Sequence, residues 1–443
     1  MKDFVKVLAV LLFAVCLVGQ IFAAGGGQSA PAAGKGRTVS FHQGAADNPE
    51  AQALTEKYYY DPIKAAFPND TIQFIEFVDR QSLQIQVAGG RGPDVLFLDG
   101  PTDAVEFAKA GRLIYLDQYA AKYGWKDIFF EWAYNSGFHD GKLLSLPNSF
   151  EGMMLYINTD VFKKFNVAVP KTEAELLAAC QLFQRNGIIP MSFGNSDYQG
   201  AVDWLYSTWN SCYAGNAKMK DALTGKARWD DPIITASVQQ MVDYWQAGYI
   251  GDKKSQAITM EDSMSLFATG RAAMMVNGTW ATWGLMNTYT DCNWEAVLMP
   301  ELRPGVGQLF PLATGGVYCV NQGAANKDFA AEVLNWMFTK LDWHVKAIRE
   351  ASWQPFPVKA VNKDTFRGMD RRMVEMYDIL MNAQIKGNTG LCAWTFYPSD
   401  VRVYMNEQTD ALFLGRLSVR DYQARIQSLM EANLRAGTVP PIP

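Results

Sequence analysis

The chain has 443 residues, of which 49% are apolar and 19% are charged, with a formal net charge of −5. At about 150 residues per domain, this length predicts two large domains or three smaller ones, and the composition is that of a globular chain. Because 40 Lys and Arg face 45 Asp and Glu, we expect no nucleic-acid partner. The three histidines, His42, His139 and His344, are far apart, so we expect no metal centre and no cofactor.

The first residues have the pattern of a secretory signal. A short basic start leads into an apolar run at residues 7–18, which is too short to span a membrane. Small residues suited to a signal peptidase follow, so residues 1–24 are predicted to be a cleaved signal peptide and residues 25–37 a flexible tether. Lipid attachment at Cys16 stays open as an alternative. We expect the rest to cross the inner membrane and to be periplasmic or tethered to the membrane's outer face.

Cysteine spacing argues against a disulfide framework. The cysteines after the predicted signal are odd in number and include no CxxC pair. They are Cys180, Cys212, Cys292, Cys319 and Cys392. We expect most of them to be small core residues, with a single bridge left open.

Strand and helix patterns alternate along the body of the chain. The order of β and α segments predicts an α/β class with largely parallel sheets. The predicted elements are a strand at 38–41, a helix from 47 to about 67, a strand at 71–78, a buried strand at 93–99, a helix at 102–110 closed by Gly111, and a helix opened by the capping box of Thr172 and Glu175 that runs to Asn186.

Signatures of catalysis are largely missing from the sequence. There is no phosphate-binding GxxxxGK[ST] loop, no HExxH and no GxSxG. A pair of carboxylates for glycoside hydrolysis can always be drawn in a chain with 45 acidic residues, so such a pair is weak support for an enzyme.

One stretch resembles a known family. From residue 138 the chain reads FHDGKLLSLPNSFEGMMLYINTDVFKKFNVAVPKTEAELLAAC, which resembles the signature region of the family 1 extracellular solute-binding proteins of bacterial ABC importers. Four further blocks similar to that family follow its order. They are GPDV at 92–95, the segment 111–117, FATGRAAM at 267–274, and Gly315-Gly316 followed by a strand and a helix at 329–338.

The resemblance implies an architecture that spacing alone does not give. Family members have two α/β lobes made of discontinuous segments around a ligand cleft, the type II fold of periplasmic binding proteins. By this analogy residues 38–151 and 314–355 form lobe 1, and residues 152–313 and 356–443 form lobe 2. The resemblance further implies a monomer that captures a sugar or oligosaccharide by lobe closure and delivers it to ABC transporter permease subunits, without catalysis.

Sugar recognition guides the choice of site residues. Aromatic planes cover the apolar faces of a sugar, and carboxylates or amides bind its hydroxyl groups. Trp280 follows the end of a predicted strand and resembles a sugar-stacking Trp of a maltose-binding relative; its alternative is a core position. Glu151 matches a ligand-binding Glu of that relative, and its alternative is a hinge hydrogen bond.

Other candidates follow from strand ends and from position. Asp99, His42 and Gln43 end predicted strands, where clefts of α/β folds lie. The full predicted ligand-binding set is Trp280, Glu151, Asp99, Gln43, His42, Trp394, Tyr397, Asp197, Asn195, Gly316 and Trp353. The relative has an Asp and an Arg where this chain has Pro101 and Thr102, which argues against maltodextrin as the ligand.

Two other functions stay open. A secreted carbohydrate-active hydrolase would use Glu151 with Asp99 or Asp197 and needs the two carboxyl groups about 5–10 Å apart. A binding protein for a non-sugar solute is the second alternative. A phosphate-bearing solute prefers an Arg-rich cleft, and only Arg91 and Arg402 favour that reading.

Overall fold

The structure, a computed structural model, describes residues 36–43, 49–76, 80–196, 201–251, 257–440 and 442. The predicted signal peptide and nearly all of the predicted tether therefore lie outside the described residues, and so does Asp197. Among the described residues, no helix has both the length and the apolar character needed to cross a membrane.

Most of the described strands form two sheets. The strands are β1 Thr38–His42, β2 Thr71–Ile75, β3 Val95–Leu98, β4 Phe138–His139, β5 Lys142–Leu143, β6 Leu146–Pro147, β7 Phe150–Asn158, β8 Ile189–Ser192, β9 Ala272–Gly278, β10 Trp294–Val297, β11 Phe310–Thr314, β12 Val317–Val320 and β13 Thr389–Leu391. The first sheet has the order β2-β1-β3-β12-β6, and the second has the order β13-β11-β7-β9-β8 with β10 also paired to β7. Strands β4 and β5 form a separate hairpin.

The α/β class is confirmed, but the prediction of largely parallel sheets is wrong. Strand β1 runs parallel to β2 and β3, and β8 and β13 run parallel to their neighbours. Strand β12 is antiparallel to both of its neighbours, and β7 is antiparallel to β9, β10 and β11. Both sheets are therefore mixed: the chain leaves the first sheet after β6, enters the second at β7, and returns to the first at β12.

Helices cover both sheets. The α-helices are Pro49–Thr55, Asp61–Ala66, Arg80–Ala88, Pro101–Lys109, Asp117–Tyr123, Trp125–Ile128, Glu131–Asn135, Thr159–Lys164, Glu173–Arg185, Ser207–Ala214, Asn216–Leu223, Pro232–Gln246, Met260–Ala268, Ala281–Asn287, Lys327–Thr339, Asp342–Ala351, Arg371–Lys386, Ser399–Phe413 and Val419–Ala436. Short π-helical segments lie at Glu56–Tyr60 and Ala201–Tyr206, and 3-10 turns lie at Lys363–Phe366 and Ala393–Phe396.

Two local predictions are confirmed in detail, and one strand is shorter than predicted. Thr172 and Glu175 form the predicted capping box, and the helix ends at Arg185 before Gly187, whose φ is +72°. Strand β2 ends at Ile75, before the predicted limit of residue 78, and residues 77–79 lie outside the described residues.

The central strand β7 is buried on both faces. Met153, Leu155 and Ile157 point into one apolar cluster, while Met154 and Tyr156 point into another. This alternation follows from the two-residue period of a strand. Burial of both faces explains why the segment is apolar without the polar alternation of a half-exposed strand.

The chain passes between the two sheets at neighbouring places. Residues 148–149 link β6 of the first sheet to β7 of the second, and residues 315–316 link β11 to β12 in return. The Asn148 N–H donates to the Gly316 carbonyl at 2.8 Å, so the two passages are hydrogen-bonded to each other. The Phe150 N–H donates to the Pro355 carbonyl at 3.3 Å, which places the segment after helix Asp342–Ala351 beside them.

All five described cysteines are buried free thiols. The open possibility of one bridge is therefore not realised among the described residues, and the expectation of core cysteines is confirmed. Burial raises the pKa of the Cys212 thiol to about 12, so this group is not ionised at neutral pH.

Candidate functional site

A cavity of about 310 Å³ lies beside the passages between the sheets. Its aromatic lining consists of Tyr59, Phe97, Trp280, Trp283 and Trp353. Its polar lining consists of Gln43, Thr55, Asn148, Ser149, Glu151, Ser352 and Gln354. The volume is at the lower end of the range for small-molecule sites, and the mixture of rings with a few polar groups is typical of such sites.

Trp280 is held in place by its backbone and by the residue below its ring. Strand β9 ends at Gly278, and a Cβ added there would lie 2.0 Å from the Trp280 ring. A side chain at this position would therefore displace the indole. With the Gln354 amide oriented to satisfy both of its partners, its Oε1 accepts from the Trp280 N–H at 2.7 Å and its Nε2 donates to the Phe150 carbonyl at 2.9 Å. Gln354 thus ties Trp280 to strand β7.

A second group of rings surrounds Trp353. Tyr59 stacks on Trp353 with ring centroids 5.0 Å apart, and Trp283 meets it edge to face at 5.3 Å. Tyr59 belongs to the π-helical segment Glu56–Tyr60, in which three consecutive tyrosines are buried. Of these three tyrosines, Tyr59 lines the cavity.

Glu151 supplies the one carboxylate in the described lining of the cavity. It lies in β7 opposite Ala313 of β11. Its Oε2 is buried without a hydrogen-bond partner, and its Oε1 is 3.5 Å from the Ser149 hydroxyl. Burial first, and the negative charge of Asp99 second, raise the pKa of the Glu151 carboxyl to about 8.

The passage at residues 315–316 needs glycine because cavity side chains lie against it. A Cβ on Gly315 would be 1.7 Å from the carboxyl carbon of Glu151. A Cβ on Gly316 would be 2.2 Å from the ring of Phe97. The predicted site residue Gly316 therefore lies under the cavity wall, and its N–H donates to the Ser149 hydroxyl at 3.4 Å.

Of the three predicted site residues at the ends of β1 and β3, one lines the cavity and two lie outside its lining. Gln43 lines the cavity and its Nε2 donates to the Tyr318 hydroxyl at 2.9 Å. His42 is buried outside the lining, and its Nδ1 donates to the Phe97 carbonyl at 3.0 Å. Burial lowers the pKa of His42, so it is neutral. Asp99 is half-buried and acts on Glu151 through its charge, but it is not part of the lining.

The late aromatic cluster is not brought to the cavity. Trp394 and Tyr397 are 7% and 0% exposed and pack into the apolar cluster of the second sheet. Tyr397 contacts Trp229 edge to face, with centroids 5.5 Å apart. The Thr102 hydroxyl donates to the Thr395 carbonyl at 2.8 Å, which holds this segment against helix Pro101–Lys109. The departure from the relative at Thr102 thus serves a packing contact.

The remaining candidates lie after β8. Asn195 is outside the cavity lining, and its backbone N–H donates to the Ile258 carbonyl at 3.0 Å. Asp197 lies outside the described residues. Among the residues that the structure describes, no cluster of three or more His, Cys, Asp or Glu side chains is arranged to hold a metal ion.

Sequence reasoning missed several lining residues. Trp283 lies three residues after Trp280, so helical periodicity after β9 is a signal that points to it. Gln354 follows Trp353 directly, in the segment after helix Asp342–Ala351. Tyr59, Asn148 and Ser149 carry no local signal, because their approach to the cavity depends on the fold.

Comparison with known proteins identifies the family. Residues 46–340 match the family described as bacterial extracellular solute-binding protein. The chain belongs to this family. Its members are binding proteins, so the resemblance drawn from the blocks at 92–95, 138–180 and 267–274 is confirmed.

Relatives of this solute-binding protein differ in how much of their length they share with it. A putative binding protein of Brucella abortus is 26% identical over 327 residues, which are 69% of this chain and 73% of that protein. The glucose-binding protein GlcS of Saccharolobus solfataricus is 24% identical over 153 residues, which are 33% of this chain and only 27% of GlcS.

A solved structure supports the two-lobe fold of the solute-binding protein. The structure of a chitin oligosaccharide binding protein superposes with a TM-score of 0.78 at 21% identity, covering 91% of this chain and 100% of that chain. The predicted fold class is confirmed by this likeness. The lobe limits and the ligand-binding set stay predictions.

Replacing Glu151 with Gln is expected to stabilise the solute-binding protein at alkaline pH. The pKa of this carboxyl rises from 4.5 to about 8, so the unfolded chain ionises before the folded one. The contribution of Glu151 to the free energy of unfolding is fully present below about pH 4.5. It is lost as the pH rises through about 8, and the loss is at most about 5 kcal/mol. The melting temperature of Glu151→Gln should be higher than that of the wild-type protein near pH 9 and equal to it near pH 4.

The matched control is Glu407→Gln, because the Glu407 side chain is exposed and lies outside the cavity. It should follow wild type at every pH. Equal melting temperatures for Glu151→Gln and wild type near pH 9 would show that the buried carboxylate carries no penalty.

Proposed function

We propose that this solute-binding protein captures a sugar or short oligosaccharide in the cavity and delivers it to the membrane permease of an ABC importer. The observation that carries the proposal is the lining itself. Trp280, Trp283 and Trp353 offer aromatic faces, and Glu151 and Gln43 offer hydrogen-bonding groups within the same space. Sugars present these two kinds of surface together.

The energetics suit a transport receptor. Each neutral hydrogen bond contributes about 0.5–1.5 kcal/mol, and one to a charged group contributes about 1.5–3 kcal/mol. A few such bonds with one or two stacked rings reach about −8 kcal/mol, which corresponds to a micromolar dissociation constant. The sugars named for the glucose-binding and chitin oligosaccharide relatives support this class of ligand.

Capture proceeds by closure of two lobes. Residues 38–151 with 314–355 form the first lobe in this proposal, and residues 152–313 with 356–443 form the second. The two passages between the sheets are hydrogen-bonded to each other and the segment with Pro355 lies beside them, which supports rotation of the lobes about a common hinge. The protein acts as a monomer outside the inner membrane and performs no chemistry on the sugar.

The test is a titration of intrinsic Trp fluorescence with a panel of mono- and disaccharides, both neutral and amine-bearing, followed by analysis of the sugars. Saturable binding in the micromolar range or tighter, with the sugars unchanged, is the expected result. New reducing ends that accumulate with time would favour the hydrolase alternative. Absence of a response, checked by calorimetry, would contradict sugar capture.

A further inference from the structure

The cavity carries an acidic group that no basic side chain of its described lining balances. Glu151 lies in the lining, and the described lining contains no Lys, Arg or His. The titratable groups described as interacting with Glu151 are also acids. Asp99 adds a negative charge that disfavours ionisation, and the buried Cys392 thiol lies close enough for Glu151 to raise its pKa.

The Glu151 carboxyl has unused hydrogen-bonding capacity. Oε2 is buried and has no hydrogen-bond partner, and Oε1 accepts one long hydrogen bond, from the Ser149 hydroxyl at 3.5 Å, among the described residues. A buried carboxylate without a partner is unfavourable, and a bound ligand that donates to it removes that penalty. A hydroxyl donates one hydrogen bond and leaves the charge in place. A protonated amine donates up to three and cancels the charge.

The rings around the same cavity favour a cation as well. Tyr59, Trp280, Trp283 and Trp353 all contribute to the lining. The face of an aromatic ring attracts a cation, and Trp does so most strongly. The unpartnered carboxyl oxygen and the aromatic lining are independent features, and both point to a ligand with positive charge and apolar faces.

We propose that the captured solute is a sugar that carries a protonated amino group, bound by Glu151 with support from the charge of Asp99, while the rings cover the faces of the sugar. This inference rests on the proposed function of sugar capture in this cavity. It predicts that binding of the amine displaces the proton that Glu151 holds in the ligand-free protein.

The experiment is isothermal titration calorimetry of the mature protein near neutral pH and at low salt. The ligands are D-glucosamine, D-glucose and N-acetyl-D-glucosamine, together with their β-1,4-linked dimers. The amine is expected to bind at least about tenfold more tightly than its matched neutral sugars, as for a charge-assisted hydrogen bond. Proton release is read from the dependence of the binding heat on the ionisation enthalpy of the buffer.

Three variants test whether the Glu151 carboxyl group is responsible for the preference for the amine. Glu151→Gln should remove the preference for the amine and the proton release, and Asp99→Asn should reduce the preference. Glu407→Gln, a carboxylate outside the cavity, should keep both. The preference and the proton release of the wild-type protein test the inference even where a variant fails to fold.

The outcomes distinguish the inference from the function on which it rests. Neutral sugars that bind as tightly as the amine, or more tightly, would overturn the inference and leave sugar capture intact. Failure of every sugar in the set to bind, with or without an amine, would overturn the proposed function and the inference together.

Discussion

Trp280→Ala is expected to weaken binding of the solute by about two orders of magnitude. Removing a large ring that a ligand buries forfeits about 2–3 kcal/mol, and each 1.4 kcal/mol is a factor of ten in affinity. The indole is half-buried in the cavity wall and lies over Gly278, so its loss opens the binding surface more than the core. Calorimetry with the tightest-binding sugar of the panel measures the change.

Trp245→Ala is the matched control for this substitution. Trp245 stacks on Phe413 with centroids 4.9 Å apart and does not line the cavity. Loss of this ring should leave the sugar affinity unchanged. If Trp280→Ala folds and binds as wild type does, Trp280 belongs to the wall of the cavity and not to the binding surface.

Gly315→Ala is expected to reduce solute affinity by about 10- to 100-fold while the protein stays folded, because it displaces the carboxyl group proposed to bind the solute. The added Cβ would stand 1.7 Å from the carboxyl carbon of Glu151, so the carboxyl group has to move. This group is the free end of a flexible side chain, and its movement costs the fold little. Binding and thermal unfolding are measured on the same sample.

A double-mutant cycle of Gly315→Ala with Glu151→Ala tests whether the two substitutions act through the same group. If Gly315→Ala acts only through the Glu151 carboxyl, it adds little to the effect of Glu151→Ala. Additive losses would mean that Gly315 affects binding by another route, such as the geometry of the passage. Gly89→Ala is the control, since its added Cβ meets neighbours at the ordinary distance of 3.4 Å.

The fold was predictable where local chemistry decides it. The capping box at Thr172 and Glu175 and the strand around residue 96 depend on neighbours in sequence, and both form as predicted. The strand directions were not predictable from local pattern. The pairing of β12 with β3 joins segments that are far apart in sequence. An apolar run does not indicate whether its strand will pair parallel or antiparallel to a neighbour.

The site was predictable in part. Trp280, Glu151, Gln43 and Trp353 belong to the predicted ligand-binding set, and all four line the cavity. The aromatic segment with Trp394 has the same composition but is packed into the core, because aromatic residues serve both purposes and sequence does not report burial. The choice between the two depends on tertiary contacts, which a single sequence does not contain.

The position of β12 in the first sheet also governs when that sheet is able to form. β12 lies between β3 and β6, yet it follows β3 by roughly two hundred residues, so the sheet stays incomplete until late in synthesis. A nascent chain with this topology exposes an unfilled sheet through most of its elongation and folds slowly. That delay favours a translocation-competent, unfolded chain, which suits a protein of an extracellular family.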